Sequence, residues 1–139
     1  MHYASANRKK MSPKEMAKSL GLSSRVAERV IEAYSDSFDD VEAQRNLNYF
    51  EKTPVTGPQL IEIMSKVVVG YNAFDGTKST RQVVSVFGDD AAYHIAREGS
   101  VCIYIDVTDG NLWLRNISKI KADEILYDGT KKMFRVWWD

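Results

Sequence analysis

The chain has 139 residues, of which 44% are hydrophobic and 27% charged, proportions that are typical of a globular protein. Its 19 basic and 19 acidic residues cancel, which excludes a global attraction to nucleic acid or to an anionic membrane, so any such binding depends on a local patch. Cys102 is the only cysteine, which excludes an internal disulfide bond and is typical of a protein from a reducing compartment.

The sequence shows neither a membrane-spanning segment nor a secretory leader. No stretch approaches the roughly 18 consecutive apolar residues of a membrane span. Residues 1–12 are polar and lack the apolar core of a leader peptide. We therefore expect a cytoplasmic protein that does not contact a membrane.

Positive charge is concentrated at the N-terminal end of the chain. Residues 1–35 contain seven basic and three acidic side chains, a net charge of +4, so residues 36–139 carry −4. The first residues predict a polar arm that ends in Arg8, Lys9 and Lys10. The charge is thus separated along the chain, although the total is zero.

Residues 12–34 predict two short helices joined by a tight turn. The run Ser12-Pro13-Lys14-Glu15 is a capping box with proline at the first helical position, and Gly21 is suited to end a helix. A second helix follows and ends near Phe38, where acidic residues accumulate. Its apolar residues recur at helical spacing: Ala27, Val30, Ile31, Tyr34 and Phe38.

This pair of helices resembles the helix-turn-helix family of DNA-binding proteins. Ala17 is small where the second helix approaches the first, Gly21 stands four residues later at the turn, and Val30 faces the shared core. The stretch differs from the family at Ala27, where a larger branched residue is usual. The resemblance implies a small DNA-binding regulator whose second helix enters the major groove of double-stranded DNA.

The resemblance also implies which side chains meet DNA. Early positions of the second helix would contact base edges, lysines of the first helix would lie near phosphates, and the arm would follow the backbone or a minor groove. These residues are Arg8, Lys9, Lys10, Lys14, Lys18, Ser23, Ser24, Arg25 and Arg29. A neutral chain needs a second copy to hold DNA, so we expect a homodimer. The same pattern also fits a helical hairpin whose charged face is only solvated.

The central part of the chain predicts a further helix. Residues 39–55 fit either a short helix or an irregular link. The run Thr56-Gly57-Pro58-Gln59 is a second capping box that opens a helix, although the valines at 67–69 also fit a strand. Residues 70–80 predict a turn-rich loop, and residues 81–87 fit a strand or the start of a helix.

Residues 89–99 predict a short helix that ends at a glycine. Asp90, His94 and Glu98 would share one face of it, at i, i+4 and i+8. A carboxylate beside a histidine orients a general base or joins it in binding a metal, but the same residues fit a solvated helix face. No second histidine or cysteine has ligand spacing. We therefore assign no catalytic residue, metal ligand or cofactor, and expect a protein that is not an enzyme.

The C-terminal part has the clearest β pattern. Apolar residues alternate with others from Val101 to Val107, and residues 108–111 predict a hairpin turn to a partner strand at residues 112–117. Residues 125–127 and 133–138 predict a second hairpin. We expect an α+β fold with an N-terminal helical hairpin, a central helix and a C-terminal antiparallel sheet of about four strands.

The domain organisation and a second function follow from this division. Residues 1–55 form a helical region with a basic arm and residues 56–139 an α+β domain, or the two form one continuous domain. Adjacent Trp137 and Trp138 point to opposite faces of a strand, so one faces away from the core. The alternative function is an interaction or inhibitor protein that binds a partner through its aromatic sheet and the acidic residues 36–51. Its candidate partner-binding residues are Trp113, Trp137 and Trp138.

Overall fold

The computed structural model describes residues 15, 18, 19, 21, 29, 30, 32–34, 48–68, 70, 71 and 73–139. Residues 29, 30 and 32–34 are helical, in agreement with the second predicted helix. The basic arm lies outside the described residues. The turn between the two predicted helices does so as well, apart from Gly21. None of the helices in the described part combines the length and apolar character needed to cross a membrane.

From residue 48 onward, the described chain contains seven strands and two α-helices. The strands are β1 (Asn48–Phe50), β2 (Gly70–Tyr71), β3 (Phe74–Asp75), β4 (Tyr93–Glu98), β5 (Ser100–Asp106), β6 (Glu124–Asp128) and β7 (Met133–Trp137). The α-helices are α1 (Gly57–Ile63) and α2 (Lys78–Phe87). A π-helix at Met64–Val68 continues α1, and two 3-10 helices cover Gly110–Trp113 and Ile117–Lys119. The mixed α+β class expected from the sequence is therefore confirmed.

Five strands form one antiparallel sheet in the order β1-β4-β5-β7-β6, and β2 pairs with β3 in a separate ribbon. Residues Ile95, Ile103 and Val136 point from one face of the sheet into the apolar core, which α1 and α2 cover. We call the opposite surface of the sheet the outer face. The sheet has five strands instead of about four, because β1 and β4 belong to it although neither was predicted as a strand, whereas residues 112–117 do not.

Helix α1 begins where the capping box predicted. The Thr56 hydroxyl accepts from the Gln59 backbone N–H, and the Gln59 side chain accepts from the Thr56 backbone N–H. Both bonds satisfy donors that a helix start leaves unpaired. The valines that also fitted a strand continue this helix as far as Val68.

Helix α2 begins inside the predicted loop. The Asp75 carboxylate accepts from the backbone N–H groups of Thr77 and Lys78, at 2.9 and 2.7 Å, so an aspartate caps the first turn. Val83 and Phe87 then face the core, four residues apart. Residues 81–87, which fitted either element, are therefore helical.

The helix predicted for residues 89–99 is wrong, because β4 occupies this stretch. The buried side chains of Tyr93 and Ile95 alternate toward the core, and β4 is paired on both sides, with β1 and with β5. Gly99 turns the chain at a φ of +71°, which glycine adopts at low cost. Tertiary pairing overrides the local helical pattern here.

The partner strand predicted for residues 112–117 is also wrong, because the segment forms two 3-10 helices. Asp109, placed by the sequence in a hairpin turn, instead caps the first of them by accepting from the Asn111 backbone N–H at 3.0 Å. On the side away from β4, β5 pairs with β7, and the second predicted hairpin is confirmed as β6 and β7. Trp138 is fully buried whereas Trp137 is only partly buried on the outer face, as the alternation predicted.

Candidate interaction surface

The outer face carries polar and aromatic side chains because alternate residues of each strand point away from the helices. The middle of this face is formed by small, buried Ala96 and Cys102. Larger side chains surround them: Asn48, Phe50, His94, Glu98, Tyr104, Arg135 and Trp137.

Glu98 is the centre of a hydrogen-bonded cluster on the outer face. Arg135 donates from Nε to Glu98 Oε1 at 2.8 Å and from a terminal nitrogen to Glu124 Oε1 at 2.8 Å. The Tyr104 hydroxyl donates to the other oxygen of Glu98. The Trp137 indole N–H donates to the Glu98 backbone carbonyl at 3.2 Å, and its ring lies 5.7 Å from the Arg135 guanidinium. These bonds and the cation–π contact hold five side chains in one arrangement.

The electrostatics of this cluster keep Glu98 ionised. Partial burial opposes the charge, but the hydrogen bonds from Tyr104 and Arg135 outweigh it and lower the pKa of Glu98. Burial and the neighbouring Glu98 raise the pKa of the Cys102 thiol. Burial and the bond to Glu98 likewise raise the pKa of Tyr104. At neutral pH the cluster therefore contains ionised Glu98 beside a protonated thiol and phenol.

A shallow depression opens beside the cluster. Its volume is about 270 Å³, and its lining is polar apart from the Trp137 ring. The lining residues are Asn48, Glu98, Gly99, Glu124, Arg135 and Trp137. The depression is large enough for one side chain of a partner molecule, and too small and too polar for a typical cofactor.

His94 forms a second polar group on the outer face, next to β1. Its Nδ1 lies 2.9 Å from the Glu51 backbone carbonyl and its Nε2 lies 3.1 Å from the Asp106 carboxylate. The ring stacks on Phe50 with centroids 5.1 Å apart. Asp90, which the sequence placed on the same helix face, lies in the turn before β4. The predicted triad of Asp90, His94 and Glu98 therefore does not form.

The outer face combines exposed apolar side chains with a net negative charge. Phe50 is 42% exposed and Leu126 is 56% exposed. Four carboxylates and one guanidinium project from the strands on this side, a net charge of −3 with His94 left out: Glu98, Asp106, Glu124, Asp128 and Arg135. Such a surface is complementary to a partner with basic and apolar side chains.

Arg29 lies at the β1 edge of the sheet, on the side opposite to the outer face. An ion pair fixes it there. Its Nε and one terminal nitrogen donate to the two oxygens of Glu51, at 2.8 and 2.9 Å. The Glu51 side chain is only 1% exposed and also accepts from the Tyr49 hydroxyl and the Thr53 backbone N–H. Burial opposes ionisation of Glu51, but these donors outweigh it and lower its pKa to about 2.

The structure describes only some of the residues that the sequence predicted to contact DNA. Lys18 is exposed on a helical turn, and Arg29 is held by Glu51. The remaining ones lie outside the described residues: Arg8, Lys9, Lys10, Lys14, Ser23, Ser24 and Arg25. Glu51 occupies two of the three guanidinium nitrogens of Arg29, which limits the contact that this side chain can make with DNA.

The three tryptophans singled out for a partner lie in different places. Trp138 is in the core, edge-on to Phe74, and Trp113 packs against Phe87, so neither faces the outer surface. Trp137 alone among them belongs to the outer face. Sequence reasoning missed the partners of Glu98 because it read β4 as a helix. The alternation of Tyr104 on β5 and of Arg135 on β7 was the available signal.

Comparisons with known proteins give no relative for this chain. No protein-family model, no curated protein and no solved structure matches it.

Proposed function

We propose that this protein is a non-enzymatic interaction protein that binds a partner protein through its outer face. The observation that carries this proposal is the ordered cluster around Glu98, flanked by the exposed side chains of Phe50 and Leu126. Tryptophan, tyrosine and arginine are the residues that dominate binding energy at protein interfaces. Here Trp137, Tyr104 and Arg135 are neighbours on one surface.

The arrangement also reduces the entropic cost of binding. Arg135 is held by Glu98 and Glu124 and lies over Trp137, so these long side chains have little rotamer freedom left to lose. Immobilising each flexible side chain at an interface otherwise costs about 0.5–1.5 kcal/mol. A surface whose side chains are already in place is suited to recognition.

Site-specific photo-crosslinking tests this proposal. A photoreactive phenylalanine analogue replaces Phe50 in one variant and Leu114 in another, since Leu114 is 56% exposed outside the sheet. We expect a crosslinked partner from position 50 and not from position 114. Trp137→Ala should reduce the crosslink while the circular dichroism spectrum stays unchanged. Equal crosslinking from both positions, or from neither, would contradict the proposal.

DNA binding through the helix-turn-helix is a second proposal, supported by the +4 charge of residues 1–35 against the −4 of the rest. The exposure of Lys18 agrees with it, whereas the ion pair of Arg29 with Glu51 weakens one candidate contact. The proposed regulator is a homodimer with one helix pair for each half-site. Dimerisation is tested by sedimentation equilibrium.

A mobility-shift assay at about 50 mM salt tests this second proposal, because phosphate contacts weaken steeply as salt rises. We expect Lys18→Ala with Arg25→Ala to abolish the shift. The matched control is Lys119→Ala with Lys121→Ala, which removes two exposed lysines from the other end of the chain. Wild-type protein that is folded and shows no shift at this salt concentration would end the DNA-binding proposal.

A further inference from the structure

Strand β6 is an edge strand of the sheet and lies next to the cluster around Glu98. Among the described residues it pairs with β7 alone. The Val107 N–H donates to the Lys132 carbonyl and the Trp138 N–H to the Val101 carbonyl, so the even-numbered residues of β7 bond to β5. The odd-numbered residues of β7 consequently bond to β6.

The register then indicates which backbone groups of β6 face no strand among the described residues. Leu126 stands opposite Arg135, so the backbone groups of Leu126 and of its neighbours two residues away face β7. The N–H and C=O groups of Ile125 and Tyr127 therefore point away from the sheet. These two residues present four backbone groups to which another strand can bond.

The outer side chains of this edge follow an acidic–apolar–acidic order. Glu124, Leu126 and Asp128 are all exposed, and Leu126 is 56% exposed. In an antiparallel pairing of two copies centred on Leu126, Glu124 of one copy would stand opposite Asp128 of the other. Like charges directly opposite each other destabilise a pair of strands. Pairing of β6 with β6 of a second copy of this chain is therefore disfavoured.

We propose that β6 binds an extended segment of a partner protein, which joins the sheet antiparallel to β6 as a sixth strand. The segment has the pattern basic–any–apolar–any–basic. Its apolar residue stands opposite Leu126, and its two basic residues stand opposite Glu124 and Asp128. Main-chain bonds to Ile125 and Tyr127 supply affinity, and the charge and apolar matches supply specificity. This inference rests on the proposed partner-binding function and names the chemistry of that partner.

A synthetic peptide with the sequence Thr-Lys-Val-Leu-Val-Lys-Thr is the probe, with binding measured by fluorescence anisotropy and by NMR on the labelled protein. The two valine N–H groups face Ile125 and Tyr127, whereas the N–H groups of leucine and the second lysine face solvent. N-methylation of both valines should weaken binding by about tenfold or more, the value expected from the loss of two hydrogen bonds. N-methylation of the leucine and the second lysine is the matched control and should change binding by less than about threefold.

Substitutions in the protein give an independent readout. Leu126→Glu should abolish peptide binding, whereas Leu114→Glu, at an equally exposed site, should leave it unchanged. A peptide with glutamate in place of both lysines should not bind the wild-type protein. NMR should show that the Ile125 and Tyr127 amides become protected from hydrogen exchange on binding.

The outcomes separate this inference from the function on which it rests. Absence of peptide binding, or equal loss with both methylation patterns, overturns the β6 inference. A partner crosslink from position 50 that survives Leu126→Glu also overturns it but leaves the outer face as the interaction surface. Absence of any crosslink from position 50 overturns the proposed function itself.

Discussion

Arg29 and Glu51 are joined by two parallel hydrogen bonds that connect the helical residues 29, 30 and 32–34 to the residue that follows β1. The carboxylate is 1% exposed and the guanidinium side chain 37% exposed, so the pair lies at the boundary between core and solvent. Such a bidentate pair fixes the orientation of both side chains. It anchors this helical segment to the sheet edge.

Replacing Arg29 with alanine should destabilise the fold. The change leaves the Glu51 charge buried with only the Tyr49 hydroxyl and the Thr53 N–H as donors. The free energy of unfolding should therefore fall, by less than for a fully buried ion pair because Arg29 is partly exposed. Urea unfolding measures the loss. Lys18→Ala, at an exposed helical site, is the control and should change stability little.

The free energy of unfolding should also fall in acid because of Glu51. Its pKa is lowered to about 2 from the ordinary glutamate value of 4.5, so ionised Glu51 stabilises the folded state fully above pH 4.5. This contribution is lost as the pH falls from about 4.5 to about 2, and it amounts to at most about 3 kcal/mol. Urea midpoints between pH 7 and pH 2 measure it.

The matched variant for the acid dependence is Glu51→Gln. It should unfold more readily at pH 7 and show a smaller loss of stability between pH 4.5 and pH 2. The lowered pKa of Glu98 acts in the same direction, so part of the acid dependence should remain. An unchanged acid dependence in Glu51→Gln would contradict the role given to this side chain.

The local signals of the sequence predicted the parts of the fold that depend on neighbouring residues. The capping box at Thr56 and the hairpin of β6 and β7 are of this kind. The helix predicted around His94 is wrong because β4 is fixed by pairing with β5 and with β1, and β1 is distant in the sequence and has only a weak strand pattern. Strand β1 has only three residues, Asn48–Phe50, which are too few to show an alternating pattern of apolar and polar side chains.

The candidate surface could be predicted only in part for the same reason. The opposite orientations of Trp137 and Trp138 follow from strand alternation alone. The contact between Glu98 and Arg135 joins residues 37 positions apart and depends on β5 pairing with β7 across the intervening 3-10 helices. The ion pair of Arg29 with Glu51 likewise spans 22 positions that no local pattern connects.

Gly110 should not tolerate a side chain. A Cβ atom at this position would lie 2.6–2.9 Å from ring atoms of Tyr127, whose hydroxyl is fixed by a bond to the Val107 carbonyl at 2.8 Å. The ring cannot move away without breaking that bond, so Gly110→Ala should cost about 1–3 kcal/mol. Gly129→Ala is the matched control, because its Cβ would meet the same ring only at 3.8 Å. Thermal unfolding of the two variants should rank them in this order.

The thiol of Cys102 should be unreactive in the folded protein. Its side chain is fully buried, and burial together with the neighbouring Glu98 raises the pKa of the thiol. Because the thiolate is the reacting species, modification at pH 8 should require unfolding of the protein. A thiol reagent such as dithiobisnitrobenzoate, added with and without urea, measures the difference in rate.

The control for this measurement is Ser118→Cys, which adds a thiol at an exposed site. In that variant one thiol should react rapidly under native conditions and the second only in urea. Rapid reaction of Cys102 in the native wild-type protein would show that the centre of the outer face opens to solvent. Ala96 on β4 and Cys102 on β5 would then not form a surface closed to solvent beneath the cluster around Glu98.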